Sequence, residues 1–234
     1  MDSFFCTEIK EGLCYLPEGE SHHAARVLRK RVGETVRLMD GAGLVAHGIF
    51  EEVHKKACVV RVEKVVKSPE PDYHLHIAIA PTKNLDRVEW FLEKSTELGI
   101  HRITPVLCRH SERKVIRKER LEKVVLAATK QSLRAFMPQL DDLTPFSTFL
   151  DGLSSKYNQK YIAYCGDGPA IDLSEVSKQG AQTIVLIGPE GDFSPEEYDL
   201  AIQKGFIGLT LGESRLRTET AGIFVAAAYR LANV

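Results

Sequence analysis

Apolar and polar positions along the chain follow two rhythms, divided near KSPEPD (67–72). Ahead of that segment, short runs at 35–39, 44–50 and 57–66 alternate, the last with apolar and charged residues interleaved. A period of two turns one face of each run inward and predicts half-buried strands. DGAG (40–43) supplies a hairpin-type turn. SHHAARVLR (21–29) reads as a short helix. Residues 1–68 are therefore predicted to form a small β-barrel. The two prolines and the serine of 67–72 mark a linker.

Beyond the linker, strand and helix patterns take turns. Strands are predicted at 74–80, 102–107, 160–165, 183–188 and 207–211. Helices are predicted at 84–99, 118–133, 194–204 and 218–231. In the first helix, Asn84 caps the start, Leu85, Val88, Leu92, Ser95 and Leu98 share a face, and Gly99 ends it. In the second, basic helix, Leu121, Val124, Val125 and Ala128 face inward. Such alternation implies a parallel sheet covered on both faces, here a second domain at 73–234.

Composition adds limits. The 234 residues are 44% hydrophobic and 27% charged, as in an ordinary globular protein. No run nears the roughly 18 apolar residues of a membrane helix. The first twelve residues carry acids and no apolar core, so a secretory leader is not expected. The five cysteines (6, 14, 58, 108, 165) are odd in number and contain no CxxC pair. Neither a metal site nor a disulfide framework is expected, and the compartment is read as reducing cytoplasm. The net charge of −1 hides a polarity. Residues 101–134 hold ten basic and three acidic side chains (+7), and 135–234 hold seven and thirteen (−6). A chain so polarised can take a polyanion on one face while neutral as a whole.

The candidate chemistry lies in TIVLIGPEGDFSPEEY (183–198), where an apolar strand stops at a glycine turn containing Glu190 and Asp192. Ser194-Pro195-Glu196-Glu197 then reads as a capping box with proline at the first helical position. A phosphate needs a free helix N-terminus. This one carries four carboxylates, and no Walker lysine is present. NAD(P) and ATP fit badly; a cationic ligand without phosphate, such as S-adenosylmethionine, fits better. The alternative is that the acids only cap a helix and face water. A second element, LGESRLRTETAGIFVAAAYR (211–230), has Arg215 and Arg217 in a polar loop between strand and helix, with Ala221, Gly222 and Ala226–Ala228 allowing close packing. Two such loops at the carboxyl ends of neighbouring strands are where open α/β sheets bind ligands.

LIGPEGDFSPEE followed by LGESRLRTETA resembles the RsmE family of 16S rRNA (uracil-N3) methyltransferases in the SPOUT superfamily. HHAARVLRKRVGE, KSTELG (94–99) and KQSLRAFMPQL (130–140) occur in family order, so the resemblance spans nearly the whole chain. It implies an α/β protein with an N-terminal PUA-like RNA-binding β-barrel and a C-terminal SPOUT domain with a deep trefoil knot. It also implies S-adenosylmethionine in the knot, 16S rRNA (within the small ribosomal subunit) as substrate, and a homodimer with the active site near the subunit interface. Two departures stand out. Asp192 takes the place of the last glycine in the usual GPEGG, and Ser3 precedes Phe4-Phe5 where an arginine is common.

Methylation at uracil N3 requires removal of the N3 proton, stabilisation of the ring oxygens and an in-line sulfur. With the resemblance, Arg217 is the candidate for stabilising the uracil anion; pairing with Glu219 or a phosphate contact is its alternative. Glu219 is a candidate general base or a capping charge. The cofactor is expected against Leu186, Gly188, Pro189, Glu190, Gly191, Leu211, Gly212, Leu216, Arg217 and Thr220, mostly through backbone. RNA is expected at Arg26, Arg29, Lys30 and Arg31 in the barrel, and at Arg109, Arg113, Lys114, Arg117 and Arg134 beyond it. Lys94 and Glu97 read as a salt bridge on a helix. The rivals are another SPOUT methyltransferase, acting on tRNA or a ribose 2′-oxygen, and a non-catalytic ribosome-assembly factor.

Overall fold

A computed structural model describes residues 2–166, 168–176 and 180–233. The chain divides into two compact units. One is built from the chain up to Glu70 plus Leu126–Met137; the other comprises Pro71–Val125 and Pro138–Val234.

The first unit holds a five-stranded mixed sheet. Its strands are β1 (Ser3–Phe5), β2 (Gly12–Tyr15), β3 (Thr35–Met39), β4 (Leu44–Val53) and β5 (Cys58–Lys67), in the order β1-β3-β4-β5-β2. β1 runs parallel to β3, and the other pairs are antiparallel. The alternation read at 57–66 survives: Val60 and Val62 are buried while Arg61 and Glu63 are exposed. The inward side chains join Phe4, Leu38, Ala46 and Phe50 in one core. The turn at 40–43 forms through Asp40, whose carboxylate accepts from the N–H groups of Ala42 (2.7 Å) and Leu44 (2.9 Å).

The predicted helix at 21–29 differs in detail. α1 spans Glu18–His22 and runs into a π-helical turn at His23–Val27, after which Arg29 takes a left-handed φ of 52°. Segment 126–137, which the pattern gives no reason to group with the barrel, is tied to this unit by specific bonds. Lys130 Nζ meets Glu20 at 2.7 Å, and Arg37 donates to Ser3 Oγ and to the Leu133 carbonyl, each at 2.9 Å. Arg37 is buried, so this fork satisfies a guanidinium that would otherwise be costly to desolvate.

The second unit is a parallel sheet of eight strands: β6 (His74–Ile79), β7 (Arg102–Leu107), β8 (Gln139–Leu140), β9 (Thr144–Pro145), β10 (Gln159–Ala163), β11 (Ala170–Asp172), β12 (Gln182–Ile187) and β13 (Ile207–Thr210). The order is β11-β13-β10-β12-β6-β7-β8, with β9 also on β7. With it belong α2 (Leu85–Leu98), the part of α3 (Lys118–Gln131) up to Val125, α4 (Phe146–Asp151), α5 (Leu173–Val176), α6 (Pro195–Gln203) and α7 (Thr218–Ala232). The long patterned elements fall where the sequence puts them. The two-residue strands and the four- and six-residue helices carry too few positions to show a period.

Alternation along the central strands sorts side chains into two cores. Leu75, Ile77, Ile79, Val185 and Ile187 pack with α2 and α7. Ala78, Ala80, Ile184 and Leu186 pack with Phe146 and Leu150 of α4 and Ala201 of α6. Asn84 caps α2 by accepting from the Asp86 N–H at 3.0 Å, and Gly99 closes it with a left-handed φ of 95°. The small residues of α7 serve contact with α2: a Cβ on Gly222 would lie 2.5 Å from the Phe91 ring.

Candidate functional site

The strand order places the carboxyl ends of β13, β10 and β12 side by side. There the chain opens a cleft of about 760 Å³. Its walls are Ala163–Gly166 after β10, Ile187–Asp192 after β12 and Leu209–Thr218 after β13. This volume lies within the range of small-molecule sites. Thr218, the first residue of α7, donates from Oγ1 to the Gly188 carbonyl at 3.0 Å, so the second and third walls are joined.

The acidic loop does something other than its charge suggests. Glu190 Oε1 accepts from the Lys83 N–H at 2.9 Å. Glu197 completes the capping box with Ser194 and also accepts from the Arg109 N–H at 2.8 Å. Glu196 pairs with the Arg109 guanidinium at 3.0 Å. Asp192 accepts from the N–H groups of Phe193 and Cys165. Each carboxylate is engaged by a donor of the protein itself. These bonds hold the loop and the start of α6 is filled by its own capping box, while Glu190 and Asp192 remain on the lining of the cleft.

The segment after β7 braces this loop. His110 Nδ1 donates to the carbonyls of Gly191 (3.1 Å) and Asp192 (3.0 Å). Arg113 donates from Nε to the Thr82 carbonyl at 3.0 Å and from Nη2 to that of Lys83. Lys83 is the residue whose N–H holds Glu190.

A model described as RNA methyltransferase domain matches residues 68–230, and one described as RNA methyltransferase PUA domain matches residues 16–63. Ribosomal RNA small subunit methyltransferase E of Rickettsia conorii is 29% identical over 215 residues, covering 90% of this chain and 86% of its own. The chain belongs to the RsmE family of RNA methyltransferases. A probable rRNA-methyltransferase from Porphyromonas gingivalis has a similar crystal structure, with 37% identity and a TM-score of 0.89, covering 100% of this chain and 98% of that one. The Ribosomal RNA small subunit methyltransferase E of Neisseria gonorrhoeae, solved with S-adenosyl methionine, is 26% identical, with a TM-score of 0.86 and coverage of 99% and 97%.

The residues expected from the RsmE resemblance divide by position. Gly188, Pro189, Glu190, Gly191, Leu211, Gly212, Leu216 and Arg217 all line the cleft. Leu186 does not: it is fully buried in the core below, and strand alternation gives the lining place to Ile187. Thr220 is exposed on α7, while Thr218 and Ala221 take the lining positions. Glu219 is set apart from the cleft. It is buried against a small apolar cavity beside Phe91 and Leu92 of α2, with Oε1 3.6 Å from Arg87 Nε. The Arg217–Glu219 pair is therefore not formed, and a carboxylate facing α2 is badly placed to take a proton in the cleft. We expect Glu219→Gln to leave the single-turnover rate of methyl transfer within roughly threefold of wild type; a loss of the order of 10² or more would restore it as a base.

The basic residues separate in the same way. Arg26, Arg29, Arg31 and Lys114 are exposed and Arg134 is half-buried. Lys30 is held by Asp2 (2.7 Å) and Glu34 (2.9 Å), which raise its pKa, the Asp2 bond most. Arg109 and Arg113 are the loop braces already described, and Arg117 is exposed. Lys94 pairs with Glu97 at 2.9 Å, as expected for residues three apart on a helix, and also with Glu93 at 2.6 Å.

Sequence reasoning missed the first wall, Ala163–Gly166. A signal was present: Gly166 and Gly168 follow an apolar strand, the same strand-then-glycine pattern that drew attention to 188–191.

Proposed function

We propose that this protein methylates N3 of one uridine in 16S ribosomal RNA with S-adenosylmethionine as donor. The observation that carries the reading is the cleft at the carboxyl ends of β10, β12 and β13, with Arg215 and Arg217 on its lining and no phosphate cradle at its helix. Its apolar lining (Ile187, Leu209, Leu211, Ala221) and the backbone of its three loops fit an adenosyl group. When bound, S-adenosylmethionine supplies the methyl group. The chain supplies the rest. Gly188 and Gly191 let the loop close on the ligand, Thr218 keeps the loop against α7, and the Arg217 guanidinium offers a planar pair of donors to the oxygens of a uracil anion.

Arg26, Arg29, Arg31 and Lys114, exposed and basic, are the candidate phosphate contacts. Each contact removed by alanine should flatten the plot of log affinity against log salt by about 0.7–0.9. Lys30→Ala should leave that slope unchanged, because its ammonium is already neutralised by Asp2 and Glu34. Filter binding across a salt series reads both.

The position of β12 between β6 and β10, and the bond between the loops after β12 and β13, support the trefoil knot that the resemblance implies. Exposed Trp90 on α2, with Phe224 and Leu231 on α7, supports a homodimer. A ribosomal RNA substrate supports a cytoplasmic location. Among the described residues no helix is long and apolar enough to cross a membrane.

The test is nucleoside analysis after incubation with labelled S-adenosylmethionine and, separately, free 16S RNA, small subunits or tRNA. N3-methyluridine at a single rRNA position is expected. Label in tRNA or on a ribose would replace this reading with a rival methyltransferase, and no label together with no cofactor binding would favour an assembly factor.

A further inference from the structure

Asp192 stands at a place where its backbone is costly and its side chain is fully occupied. Its φ is 62°, in the left-handed region that few residues other than glycine adopt, although aspartate tolerates it better than most. One carboxylate oxygen, Oδ1, accepts from the Phe193 N–H at 2.8 Å. The other, Oδ2, accepts from the Cys165 N–H at 2.9 Å. Phe193 belongs to its own loop, but Cys165 belongs to the wall after β10, 27 residues away in sequence. The carboxylate is tucked under the turn: a Cβ on Gly188 would lie 3.2 Å from Oδ1. On the far side, the Asp192 and Gly191 carbonyls receive His110.

We propose that Asp192 is a positioning residue for the cofactor, a strut whose carboxylate fixes the distance between the first and second walls of the cleft. After β10 ends at Ala163, the Tyr164 ring stacks on Tyr198 of α6 at 4.3 Å, and the Cys165 N–H bond to Asp192 ties the backbone of the first wall to the turn. Without the strut, the backbone at Cys165 and the turn at Asp192 are no longer tied, and fixing them as the cofactor binds appears as lost affinity. Turnover at saturation is affected less, because Asp192 holds walls and does not meet the reacting atoms. The inference rests on the reading of the cleft as the S-adenosylmethionine site.

The two jobs of Asp192, conformation and bonding, separate by substitution. Glycine takes a φ of 62° without strain but offers no acceptor. Asparagine tolerates the conformation and keeps one acceptor oxygen, losing the other bond. If the backbone alone mattered, Asp192→Gly would bind as well as wild type or better. If the strut matters, affinity falls in the order Asp, Asn, Gly. We expect the Kd for S-adenosylmethionine, by calorimetry, to rise roughly tenfold in Asp192→Gly, equivalent to about 1.4 kcal/mol, and by less in Asp192→Asn. The KM for the cofactor should follow the Kd, while kcat changes by a smaller factor.

A second readout needs no turnover. Cys165 is the exposed cysteine, and those at 6, 14, 58 and 108 are buried, so alkylation reports on the first wall. Partial desolvation of the sulfur, and after it the Asp192 carboxylate, raises the Cys165 thiol pKa. Asp192→Gly should therefore be alkylated several-fold faster by iodoacetamide, and S-adenosylmethionine should protect the wild type. Wild-type failure to bind S-adenosylmethionine would overturn the cofactor reading. Normal wild-type binding with an unchanged Kd and alkylation rate in Asp192→Gly would overturn the strut alone. A lowered melting temperature in both variants, with unchanged Kd, would reduce Asp192 to a turn residue and also overturn it.

Discussion

Arg217→Ala is expected to lower methyl transfer to small-subunit RNA roughly 10²–10³-fold while the Kd for S-adenosylmethionine stays within a few-fold, the magnitude typical of losing one preorganised donor to a developing oxyanion. Removing the N3 proton of uracil spreads negative charge over the flanking ring oxygens, and a guanidinium matches two such acceptors with parallel N–H donors. Arg217 is placed for this. It lines the cleft and is the N-cap of α7 with extended dihedrals (φ −70°, ψ 154°), its side chain making no capping bond. The positive end of the α7 dipole lies beside it and adds to the local potential. Among the described residues its guanidinium meets no carboxylate, because Glu219 turns to Arg87. Arg217→Lys should recover part of the rate, since a lysine restores charge but not the fork. Single-turnover assays with labelled cofactor measure both variants. Wild-type rates in the alanine variant would remove Arg217 from the chemistry and leave Arg215 as the remaining cation among the described residues of the cleft.

Acidification should destabilise the protein more than its surface charges would suggest, and His76 is the reason. It lies on β6 with 1% of its surface exposed, its Nδ1 2.7 Å from the Tyr157 hydroxyl and its Nε2 2.7 Å from Thr104 Oγ1. Thr104 gives its own proton to the Asp141 carboxylate. Thr104 must therefore accept from His76 Nε2–H, and Nδ1 must accept from Tyr157. The network is complete only with a neutral imidazole. Burial, reinforced by Arg102, lowers the His76 pKa from 6.5 to about 3. His74, stacked on His101 at 5.2 Å, is lowered to about 4 by burial and then by Lys156 and Arg102.

Both histidines stay neutral when folded and take a proton when unfolded below pH 6.5. The unfolded state then binds more protons, so stability rises with pH in this window and is lost as pH falls from 6.5 toward 4. His76 alone should contribute a slope of about 1.4 kcal/mol per pH unit, or roughly 3 kcal/mol across that range. Denaturant unfolding over the same range checks it. His76→Phe loses two hydrogen bonds and should be weaker at neutral pH, yet its stability should fall less steeply with acid. Parallel pH profiles for the two proteins would show that His76 does not carry the effect.

The alternation of 35–39, 44–50 and 57–66 was enough to find three of the five strands of the first unit, because a half-buried strand writes its face into every second residue. The segment Gly12–Tyr15 escaped, having only four positions and two large apolar side chains (Leu13, Tyr15) exposed on the edge of the sheet. The helix caps at Asn84 and Ser194 were legible because a cap is a contact between near neighbours. The same holds for the Lys94–Glu97 pair.

What the sequence determined by itself was everything local in cause: the long elements, their caps, the parallel sheet, the two loops flanking the cleft and, through motifs in family order, the methyltransferase family. What only the tertiary structure decided was where a polar side chain finds a partner far away in sequence. Four acids that read as a field around a ligand are joined to Lys83, Arg109, Cys165, Phe193 and Ser194, and Glu219, next to the cleft-lining Thr218, faces α2 instead. Local pattern is set by which face of an element turns inward, and a single chain segment carries that information. The direction of a carboxylate such as Glu190 or Glu219 is set by donors 107 or more residues away in sequence, and no local window contains both ends of such a bond.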